Sequence, residues 1–384
     1  MKKRMIAMVM ALTLCLGLTG TAFASSGQKT VHASTAAELE AAVQESNTKI
    51  TLDAKDYRLN DLSLYEVNNV TIEGKAGTRI LGNDLDNTVF WIYDCQNISI
   101  VNVVGGHEPA QTEQMSCQAG VVYAYESTVS ISGCDLFGCG LLGLESKDST
   151  VTVTDSTIRD CSRKLVEGSG TITFTNCTFS GNGYNEPDKY GIEVYGSSSA
   201  FRFDSCVFKN NKNSALDNSS ENTNISITYN NCFFSGNTWG NDTKAARTAS
   251  SVLVNGEKKN FDAYSIGGNN YFKLRDLAYV LNGTEKQFGV GWNGADNAIT
   301  LTSGAAYTPV GGEMAAGSSA APSVAPASAK VLVDGKEVSL TAYSIGGNNY
   351  FKLRDIGELF NFGVGWDGAT STITIDTTTG YTAG

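Results

Sequence analysis

The sequence has little basic charge, few histidines and, after its first 24 residues, no long apolar run. Of its 384 residues, 39 are Asp or Glu, 28 are Lys or Arg and 2 are His. This acidic balance argues against nucleic acid and anionic membranes as partners. Because a membrane-spanning helix needs about 18 apolar residues, no transmembrane segment is expected once the leader is removed.

The first 24 residues have the pattern of a secretory signal peptide. Three basic residues at positions 2–4 precede an apolar run from Met5 to Leu18, and residues 22–24 form the small-x-small pattern of a cleavage site. The sequence therefore predicts that residues 1–24 are removed and that the protein is secreted or associated with the cell surface. Of the nine cysteines, all but Cys15 lie beyond this leader. The sequence leaves open whether they are free thiols or disulfides, including a bridge between Cys139 and Cys161.

Five related segments of alternating apolar and polar residues recur in the middle of the chain. They begin at Val129, Val151, Ile172, Phe201 and Ile225. Such alternation is typical of a strand with one buried face. A repeat of this length cannot bury its apolar face alone and gains a core only by stacking on its neighbours. The sequence therefore predicts a stack of β-coils.

Residues at equivalent positions of stacked coils form ladders, because neighbouring strands lie about 4.8 Å apart. The sequence predicts two such ladders, one mostly of Cys and one of Cys and Asn. We expect both to be structural, since small thiols pack in cores and stacked amides hydrogen-bond to each other. The two ladders are Cys134, Ser156, Cys177, Cys206 and Cys232, and Cys139, Cys161, Asn182, Asn211 and Asn237.

An amphipathic helix is predicted before the coils, between Thr35 and Asn47. Thr35 and Glu38 have the spacing of a capping box, and residues 39–43 supply an apolar stripe. Because the open ends of a solenoid must be covered, we expect this helix to cover the N-terminal end of the stack.

A second and longer repeat follows the coils. Residues 263–276 recur without change as residues 342–355. Each copy predicts strands on both sides of a short helix, which runs from Leu274 to Leu281 in the first copy and from Leu353 to Phe360 in the second. We therefore expect two small α+β modules of ββαββ order.

These patterns divide the chain beyond the leader into four parts. The coils cover residues 30–247, and the two modules cover residues 251–303 and 330–380. Residues 304–329 between the modules are rich in Ala, Ser, Gly and Pro. A flexible linker is expected there.

The predicted helix, the turn at residues 69–74 and the Cys-containing coils resemble the right-handed parallel β-helix proteins of the pectate-lyase-like superfamily. This resemblance implies an all-β solenoid, a right-handed parallel β-helix, over residues 30–247. The two C-terminal copies resemble stalk modules of bacterial surface proteins, similar to the N-terminal domain of copper amine oxidases. Neither copy contains a His, so no copper site of the usual imidazole type is expected.

The superfamily includes lyases, hydrolases, epimerases, adhesins and inert scaffolds, so the fold alone does not determine an activity. The resemblance implies an exported cell-surface protein that binds or processes polysaccharide, with a polysaccharide lyase or a glycoside hydrolase as the enzymatic form. The alternative is a non-catalytic adhesin or a structural scaffold of the cell envelope, with an envelope glycan as partner. An adhesin would show an exposed aromatic strip, for which the candidates are Tyr123, Tyr125, Tyr190 and Tyr195.

Four acids align at one position of successive coils, which predicts a column on the outer face. Each follows an apolar residue that is taken to point inward, namely Tyr93, Tyr125, Leu144 and Val166. At about 4.8 Å two like charges repel by about 1 kcal/mol in water, so something should neutralise them if this register is right. The alternative is that the insertions shift the register and the acids splay into solvent. Bound Ca²⁺ would do so with oxygen ligands, as would Arg163 or Lys164 nearby, or a raised pKa that keeps one acid protonated. The candidate calcium ligands are Asp94, Glu126, Glu145 and Glu167.

In polysaccharide lyases of this superfamily, Ca²⁺ acidifies a uronate and a Lys or Arg takes the proton. The carboxylates of Glu167 and Glu193 are further catalytic candidates, because they are expected on the outer face. His107 is the only imidazole in the coils that follow the predicted helix, and it is either catalytic or a local hydrogen-bonding residue. The bases that the resemblance implies are Arg159, Arg163, Lys164 and Lys189.

Overall fold

The computed structural model describes residues 27–84, 86–108, 119–138, 141–185, 189–315 and 323–383. The predicted signal peptide at residues 1–24 lies outside the described residues, and so does Cys139. The described chain forms a stack of β-coils, followed by two interleaved copies of an α+β repeat.

The stack contains short strands joined by tight bends. In chain order they are β1 (Lys29–Ala33), β2 (Thr48–Leu52), β3 (Asp56–Leu59), β4 (Leu62–Tyr65), β5 (Asn68–Glu73), β6 (Arg79–Gly82), β7 (Phe90–Tyr93), β8 (Gln96–Val101), β9 (Val104–His107), β10 (Val122–Tyr125), β11 (Thr128–Ser132), β12 (Asp135–Phe137), β13 (Leu142–Thr154), β14 (Thr157–Arg159), β15 (Lys164–Thr175), β16 (Thr178–Ser180), β17 (Tyr190–Val194), β18 (Ala200–Asp204), β19 (Val207–Lys209), β20 (Ala215–Asp217), β21 (Ser226–Asn230) and β22 (Phe233–Ser235).

These strands form three columns along the axis of the stack, and the pairings within each column are parallel. Column A contains β1, β2, β5, β8, β11, β18 and β21, with the second halves of β13 and β15. Column B contains β3, β6, β9, β12, β14, β16, β19 and β22. Column C contains β4, β7, β10, β17 and β20, with the first halves of β13 and β15. The predicted parallel β-helix solenoid is confirmed.

The alternation of apolar and polar residues places one face of each strand in a continuous core. In the later coils this core is aromatic. The rings of Phe174, Phe203 and Tyr229 stack at centroid distances of 4.9 and 5.1 Å, so each coil buries its aromatic surface against the next. Burial of such rings is a large stabilising contribution, and it depends on the neighbouring coil being present.

The Asn ladder lies at the bend where the chain leaves column B. Asn182 and Asn211 are fully buried. The backbone N–H of Asn182 donates to Oδ1 of Asn211 (3.1 Å), and Nδ2 of Asn211 donates to Oδ1 of Asn237 (2.9 Å). The ladder thus satisfies buried backbone groups that the bend removes from the sheets. The predicted structural role is confirmed.

The Cys ladder also packs inside the stack. The sulfur atoms of Cys177 and Cys206 lie 3.4 and 3.7 Å from the carbonyl oxygens of Val153 and Phe174. All six cysteines among the described residues are free thiols. The bridge considered for Cys139 involves a residue outside the described ranges.

Helix α1 (Ala36–Ala42) covers the N-terminal end of the stack. The Thr35 hydroxyl accepts from the backbone N–H of Glu38 (3.2 Å), and the Glu38 carboxylate accepts from the N–H of Thr35, which confirms the capping box. Leu39 and Val43 belong to the core of the stack. The helix ends at Ala42, five residues before the predicted Asn47, and Asn47 itself has a positive φ of 58°, outside helical geometry.

The C-terminal part contains two copies of the same element order, and the two predicted helices are present. Its elements are β23 (Ala246–Arg247), β24 (Ser251–Val254), β25 (Glu257–Lys259), β26 (Ala263–Ile266), β27 (Asn269–Lys273), α2 (Leu274–Leu281), β28 (Phe288–Asn293), β29 (Ala298–Ser303), β30 (Val324–Pro326), β31 (Lys330–Val333), β32 (Lys336–Val338), β33 (Ala342–Ile345), β34 (Asn348–Lys352), α3 (Leu353–Leu359), β35 (Gly363–Asp367) and β36 (Thr372–Asp376).

The two copies exchange strands with each other. β24 of the first copy pairs in parallel with β36 of the second, and β29 of the first pairs in parallel with β31 of the second. At the centre β27 and β34 are antiparallel, with Phe272 opposite Phe351 and both rings fully buried. The copies therefore share one core, an arrangement that the sequence analysis, with its separate modules at residues 251–303 and 330–380, did not predict.

Residues 305–315, which were predicted to be part of a flexible linker, pack on the first copy instead. Tyr307 is 3% exposed. Asn282 accepts from the backbone N–H of Tyr307 (3.0 Å) and donates to its carbonyl (3.1 Å). Further along, β30 pairs with β33. These residues therefore belong to the folded unit.

An aromatic cluster joins the stack to the repeat pair. Phe233 of β22 lies 5.9 Å from Tyr343 between ring centroids, and Tyr264, Tyr271 and Tyr350 are buried in the same cluster. The repeat pair thus covers the last coil, at the end opposite α1. Within the described ranges, neither the helix of the stack nor those of the repeat pair have the length and apolarity to span a membrane.

Candidate functional site

The outer surface of column C carries aromatic and charged side chains in rows along the stack. Rows form because alternate residues of each strand point outward and the parallel register sets them side by side. We call this surface the column C face. Its first row is Ser63, Trp91, Tyr123, Glu145, Glu167 and Glu193, its second row is Tyr65, Tyr93, Tyr125 and Lys147, and its turn row is Glu66, Asp94, Glu126 and Asp148.

The predicted column of four acids is only partly present. Glu145 and Glu167 lie side by side, and Glu193 continues the row. Asp94 and Glu126 lie instead in the turn row, where they have positive φ values of 51° and 44°. The predicted placement of these two acids beside Glu145 is therefore wrong.

The misplacement of Asp94 and Glu126 has one cause. The prediction took Tyr93 and Tyr125 as inward residues, by analogy with the aliphatic residues of later coils. In the structure Tyr125 lies opposite the exposed Lys147, and both tyrosines point outward. The alignment was consequently shifted by three residues.

Lys164 neutralises two of the acids in the first row. Its Nζ donates to Glu167 and, at 2.5 Å, to Glu193. Burial opposes the charged form, but these two bonds outweigh it and raise the pKa of Lys164 above its ordinary value. The side chain is therefore protonated at neutral pH, a charge state that does not suit the predicted role of general base.

Glu145 is the third acid of this row. Burial, followed by the neighbouring charge of Glu167, raises the pKa of Glu145 above its ordinary value. A carboxyl group that holds its proton more tightly is suited to donate a proton or a hydrogen bond to a ligand.

Replacing Glu145 with Gln is expected to increase the free energy of unfolding at pH 7 and to leave it unchanged near pH 3. The folded-state pKa lies above the unfolded value, so ionisation of Glu145 destabilises the fold as pH rises above the usual glutamate pKa of about 4.3. Urea unfolding at the two pH values measures this difference. Glu285→Gln, on an exposed loop, is the matched control and should have little effect at either pH. An equal effect of Glu145→Gln at both pH values would contradict the raised pKa.

Two of the predicted bases are engaged in other ion pairs. Arg159 of column B lies 2.8 Å from Asp135 and 2.8 Å from Asp160. Lys189 pairs with Glu221. Both cations are held in their charged form by these carboxylates, so neither is poised to take up a proton.

Arg163 and His107 have backbone-directed contacts. Arg163 precedes Lys164 at the start of β15, and its carbonyl accepts a hydrogen bond from Asn213 (2.6 Å). His107 is fully buried at the end of β9, in column B, with Nε2 2.9 Å from the carbonyl oxygen of Asn87. Burial lowers the pKa of His107. This side chain is a local hydrogen-bonding residue away from the column C face.

The aromatic side chains of the column C face stack along the axis. The rings of Tyr65, Tyr93 and Tyr125 lie 5.0 and 4.5 Å apart and are nearly parallel. Trp91 and Tyr123 stack at 4.5 Å. Inner rings cover each other, whereas Tyr65 and Trp91, the first aromatic residues of their rows, are 53% and 40% exposed. Within the two aromatic rows, the open aromatic surface is thus at this end.

Three of the four tyrosines proposed for an adhesive strip lie on this side of the stack. Tyr123 and Tyr125 belong to the rows, and Tyr195 follows β17 and is 42% exposed. The fourth, Tyr190, is buried and contributes no such surface.

The described residues contain no group of three or more His, Cys, Asp or Glu side chains arranged to hold a metal ion. In the first row, the ammonium group of Lys164 lies between Glu167 and Glu193, where a cation would bind. Calcium binding by these acids stays a prediction, and it would require displacement of Lys164.

Comparisons with known proteins find similarity to a family model and to solved structures. A family model described as the right handed beta helix region matches residues 110–269. The stack is a right-handed β-helix. Among solved structures, the chain is similar to a pectin methylesterase from Aspergillus niger, with 14% sequence identity, a TM-score of 0.36 and coverage of 62% of this chain and 80% of that chain. None of the curated proteins compared matches this chain.

Most of the aromatic rows of the β-helix were not predicted, although the sequence contains a pattern that indicates them. Trp91 and Tyr93 are separated by an isoleucine, and Tyr123 and Tyr125 by an alanine. The period of two places the small or aliphatic residue inside and both aromatic residues outside. The same period identifies Tyr65, two residues after Ser63.

Proposed function

We propose that the protein is an exported β-helix protein that binds polysaccharide along the column C face. The supporting observation is that two rows of stacked aromatic rings lie side by side on one surface, and the first of them continues into a row of carboxylates. Sugar rings have C–H faces that pack on aromatic surface and hydroxyl groups that hydrogen-bond to carboxylates and phenols. The face offers both contacts over successive coils, as a linear polymer requires.

The charge of the face favours a neutral or amino-sugar polysaccharide. Its three rows carry seven carboxylates, against the ammonium groups of Lys147 and Lys164. A polyuronate would add negative charge and be repelled, whereas a protonated amino sugar would be attracted. We therefore expect polyuronates to bind only with a cation such as Ca²⁺ that displaces Lys164 from its carboxylates.

Hydrolysis of the bound polysaccharide is a second candidate function. Glu145 has a raised pKa, and its neighbour Glu167 is ion-paired with the protonated Lys164. Glycoside hydrolases need this kind of contrast, with one carboxylic acid that donates a proton and one carboxylate that stays ionised. A calcium-dependent lyase is less well supported, because Lys164 is held in its protonated form.

The test of the proposal is glycan binding by the full chain and by a Trp91→Ala variant. Affinity electrophoresis in gels with a neutral β-glucan, chitosan or polygalacturonate measures retardation, with and without Ca²⁺. We expect retardation by the neutral polymer or chitosan and at least tenfold weaker binding by Trp91→Ala, equivalent to about 1.4 kcal/mol. Trp292→Ala is the matched control, since Trp292 is also exposed, at 56%, but lies in β28 of the repeat pair.

Several results would overturn this proposal. Absence of retardation in all three polymers would leave the face without a glycan ligand. Equal losses in Trp91→Ala and Trp292→Ala would place binding elsewhere. Release of reducing ends that is lost in Glu145→Gln, in contrast, would favour hydrolysis over binding alone.

We also propose that the repeat pair holds the β-helix at the cell envelope. The support is the predicted signal peptide and the resemblance of the two copies to stalk modules. Fractionation of cells that produce the protein, with detection in envelope and culture-medium fractions, tests this location.

A further inference from the structure

Three tyrosines of the column C face form a stack of nearly parallel rings. Tyr65, Tyr93 and Tyr125 occupy paired positions of β4, β7 and β10. The rings of Tyr93 and Tyr125 have centroids 4.5 Å apart and planes 4° apart, and those of Tyr65 and Tyr93 have centroids 5.0 Å apart and planes 8° apart. Because the strands are parallel and in register, three phenols leave the sheet side by side in the same direction.

Two other close pairs of tyrosines in the described ranges have a different geometry. The rings of Tyr271 and Tyr343 (5.0 Å) and of Tyr264 and Tyr350 (5.2 Å) meet edge to face, at angles of 64° and 85°. These four side chains are at most 4% exposed, whereas Tyr65, at the open end of the stack, is 53% exposed. The column C stack thus combines parallel phenol rings with access from solvent.

Parallel phenols at this distance are arranged for covalent coupling. A one-electron oxidant takes an electron from a phenol, the phenolic proton leaves, and the radical spreads to the ring carbons next to the C–O carbon. Two such radicals on neighbouring rings form a carbon–carbon bond, and the hydrogen on each bonded carbon then moves to its oxygen, so both phenols form again. Holding the rings in this orientation removes much of the entropy cost of their encounter.

The turn row supplies carboxylates beside these phenols. Glu66, Asp94 and Glu126 each follow a tyrosine of the stack. A hydrogen bond to Glu126 and the charge of that carboxylate raise the pKa of Tyr125 to about 12. A phenol that keeps its proton at neutral pH must release it on oxidation, and the adjacent carboxylate is placed to accept it.

No disulfide joins the coils among the described residues, because all six described cysteines are free thiols. Tyr93 and Tyr125 lie in β7 and β10, which are neighbouring strands of column C. A bond between their rings would tie two coils together. It would also close a loop of the chain between these strands, which restricts the unfolded state as a disulfide does.

We propose that Tyr93 is the centre of a dityrosine modification site, where a haem peroxidase with hydrogen peroxide joins its ring to that of Tyr125 or Tyr65. Two tyrosines and one hydrogen peroxide give one dityrosine and two waters. Tyr93 belongs to both stacked pairs, so every cross-link of this site contains it. The modification links neighbouring coils within one molecule and does not depend on whether the face binds a glycan.

The test treats the full chain with a haem peroxidase and hydrogen peroxide, beside Tyr93→Phe and Tyr279→Phe variants. Phenylalanine keeps the ring but cannot form a phenoxyl radical. We expect dityrosine fluorescence in the monomer band of a denaturing gel, at least tenfold lower in Tyr93→Phe. It should be unchanged in the matched control Tyr279→Phe, since Tyr279 is 46% exposed on α2, away from the stack.

Peptide mass spectrometry and urea give two further readouts. Cross-linked peptides should contain Tyr93 and be lighter than the sum of their parts by two hydrogens. In a Tyr125→Phe variant the partner should shift to Tyr65, which identifies the site through the stack itself. Unfolding separates the rings, so oxidation of the unaltered chain in denaturing urea should give at least tenfold less dityrosine within the monomer.

Three outcomes would overturn the proposal. The first is no dityrosine in the folded protein after oxidation. The second is an equal yield in Tyr93→Phe and the unaltered chain, which would place the cross-link at other tyrosines. The third is dityrosine found only in covalent dimers, which would mean that exposed tyrosines of different molecules react with each other.

Discussion

Replacement of Asn211 by alanine is expected to lower the free energy of unfolding by about 4 kcal/mol. The Oδ1 of Asn211 accepts from the backbone N–H of Asn182, and its Nδ2 donates to the carbonyl of Phe179 (3.1 Å). Alanine would leave the buried N–H of Asn182 without a partner, at about 1–3 kcal/mol, would remove the Nδ2 bonds to Phe179 and Asn237, and would add a small cavity. Urea unfolding followed by circular dichroism measures the loss.

Asn224→Ala is the matched control for this prediction. Asn224 is exposed in the loop before β21, so its replacement should change the free energy of unfolding by less than about 0.5 kcal/mol. A loss below about 1 kcal/mol for Asn211→Ala would show that the buried ladder stabilises the β-helix far less than its hydrogen bonds indicate.

Proteolytic cleavage between the two C-terminal copies is expected to leave the two fragments associated in one complex. A protease site introduced within residues 316–322, which lie outside the described ranges, allows the cut. The second copy should stay attached because β24 pairs with β36, β29 with β31 and β27 with β34. Size-exclusion chromatography of the cleaved protein, followed by denaturing electrophoresis of the peak, measures the association.

The same experiment with Phe351→Ala supplies the contrast. Phe351 is fully buried opposite Phe272 at the centre of the shared sheet. Its truncation should weaken the interaction between the copies by about 3–5 kcal/mol and favour release of the second copy after cleavage. Elution of the second copy as a separate species from the otherwise unaltered protein would contradict the exchange of strands.

Local patterns were sufficient to predict most of the β-helix. The period of two in the segments at Val129 and Val151 identified strands, and the repeat distance identified the stack. The capping box of Thr35 and Glu38 identified the start of α1, and α2 was predicted with its observed bounds. These features depend on residues that are close in sequence, which explains the agreement.

The candidate site was harder to predict because it depends on register. Whether Glu126 or Tyr123 lies beside Glu145 is determined by which residue of the coil occupies the positive-φ turn. Glutamate rarely adopts a positive φ, so the residue type at position 126 did not indicate a turn there. A tyrosine packs equally well inside a core or in an exposed stack, and Tyr93 and Tyr125 were assigned to the wrong face for this reason.

The exchange of strands between the C-terminal copies could not be derived from their repeat alone. Two identical segments predict the same strands whether each pairs within its own copy or with the other. Partner choice follows from contacts between distant residues, such as Phe288 with Phe360, whose rings stack at 4.1 Å. The folded turn near Tyr307 was also not predicted. The linker was assigned from the average composition of residues 304–329, and a single aromatic residue among many small ones changes that average little.

The aromatic cluster around Phe233 and Tyr343 has a consequence for how molecules of this protein meet. The last coil of any β-solenoid has strand edges that can template the first coil of another molecule, so that units add end to end into fibres. Here the repeat pair occupies that edge and α1 occupies the opposite end. Both growth points of such a polymer are therefore covered within a single chain, so end-to-end addition through these strand edges is closed to the described β-helix.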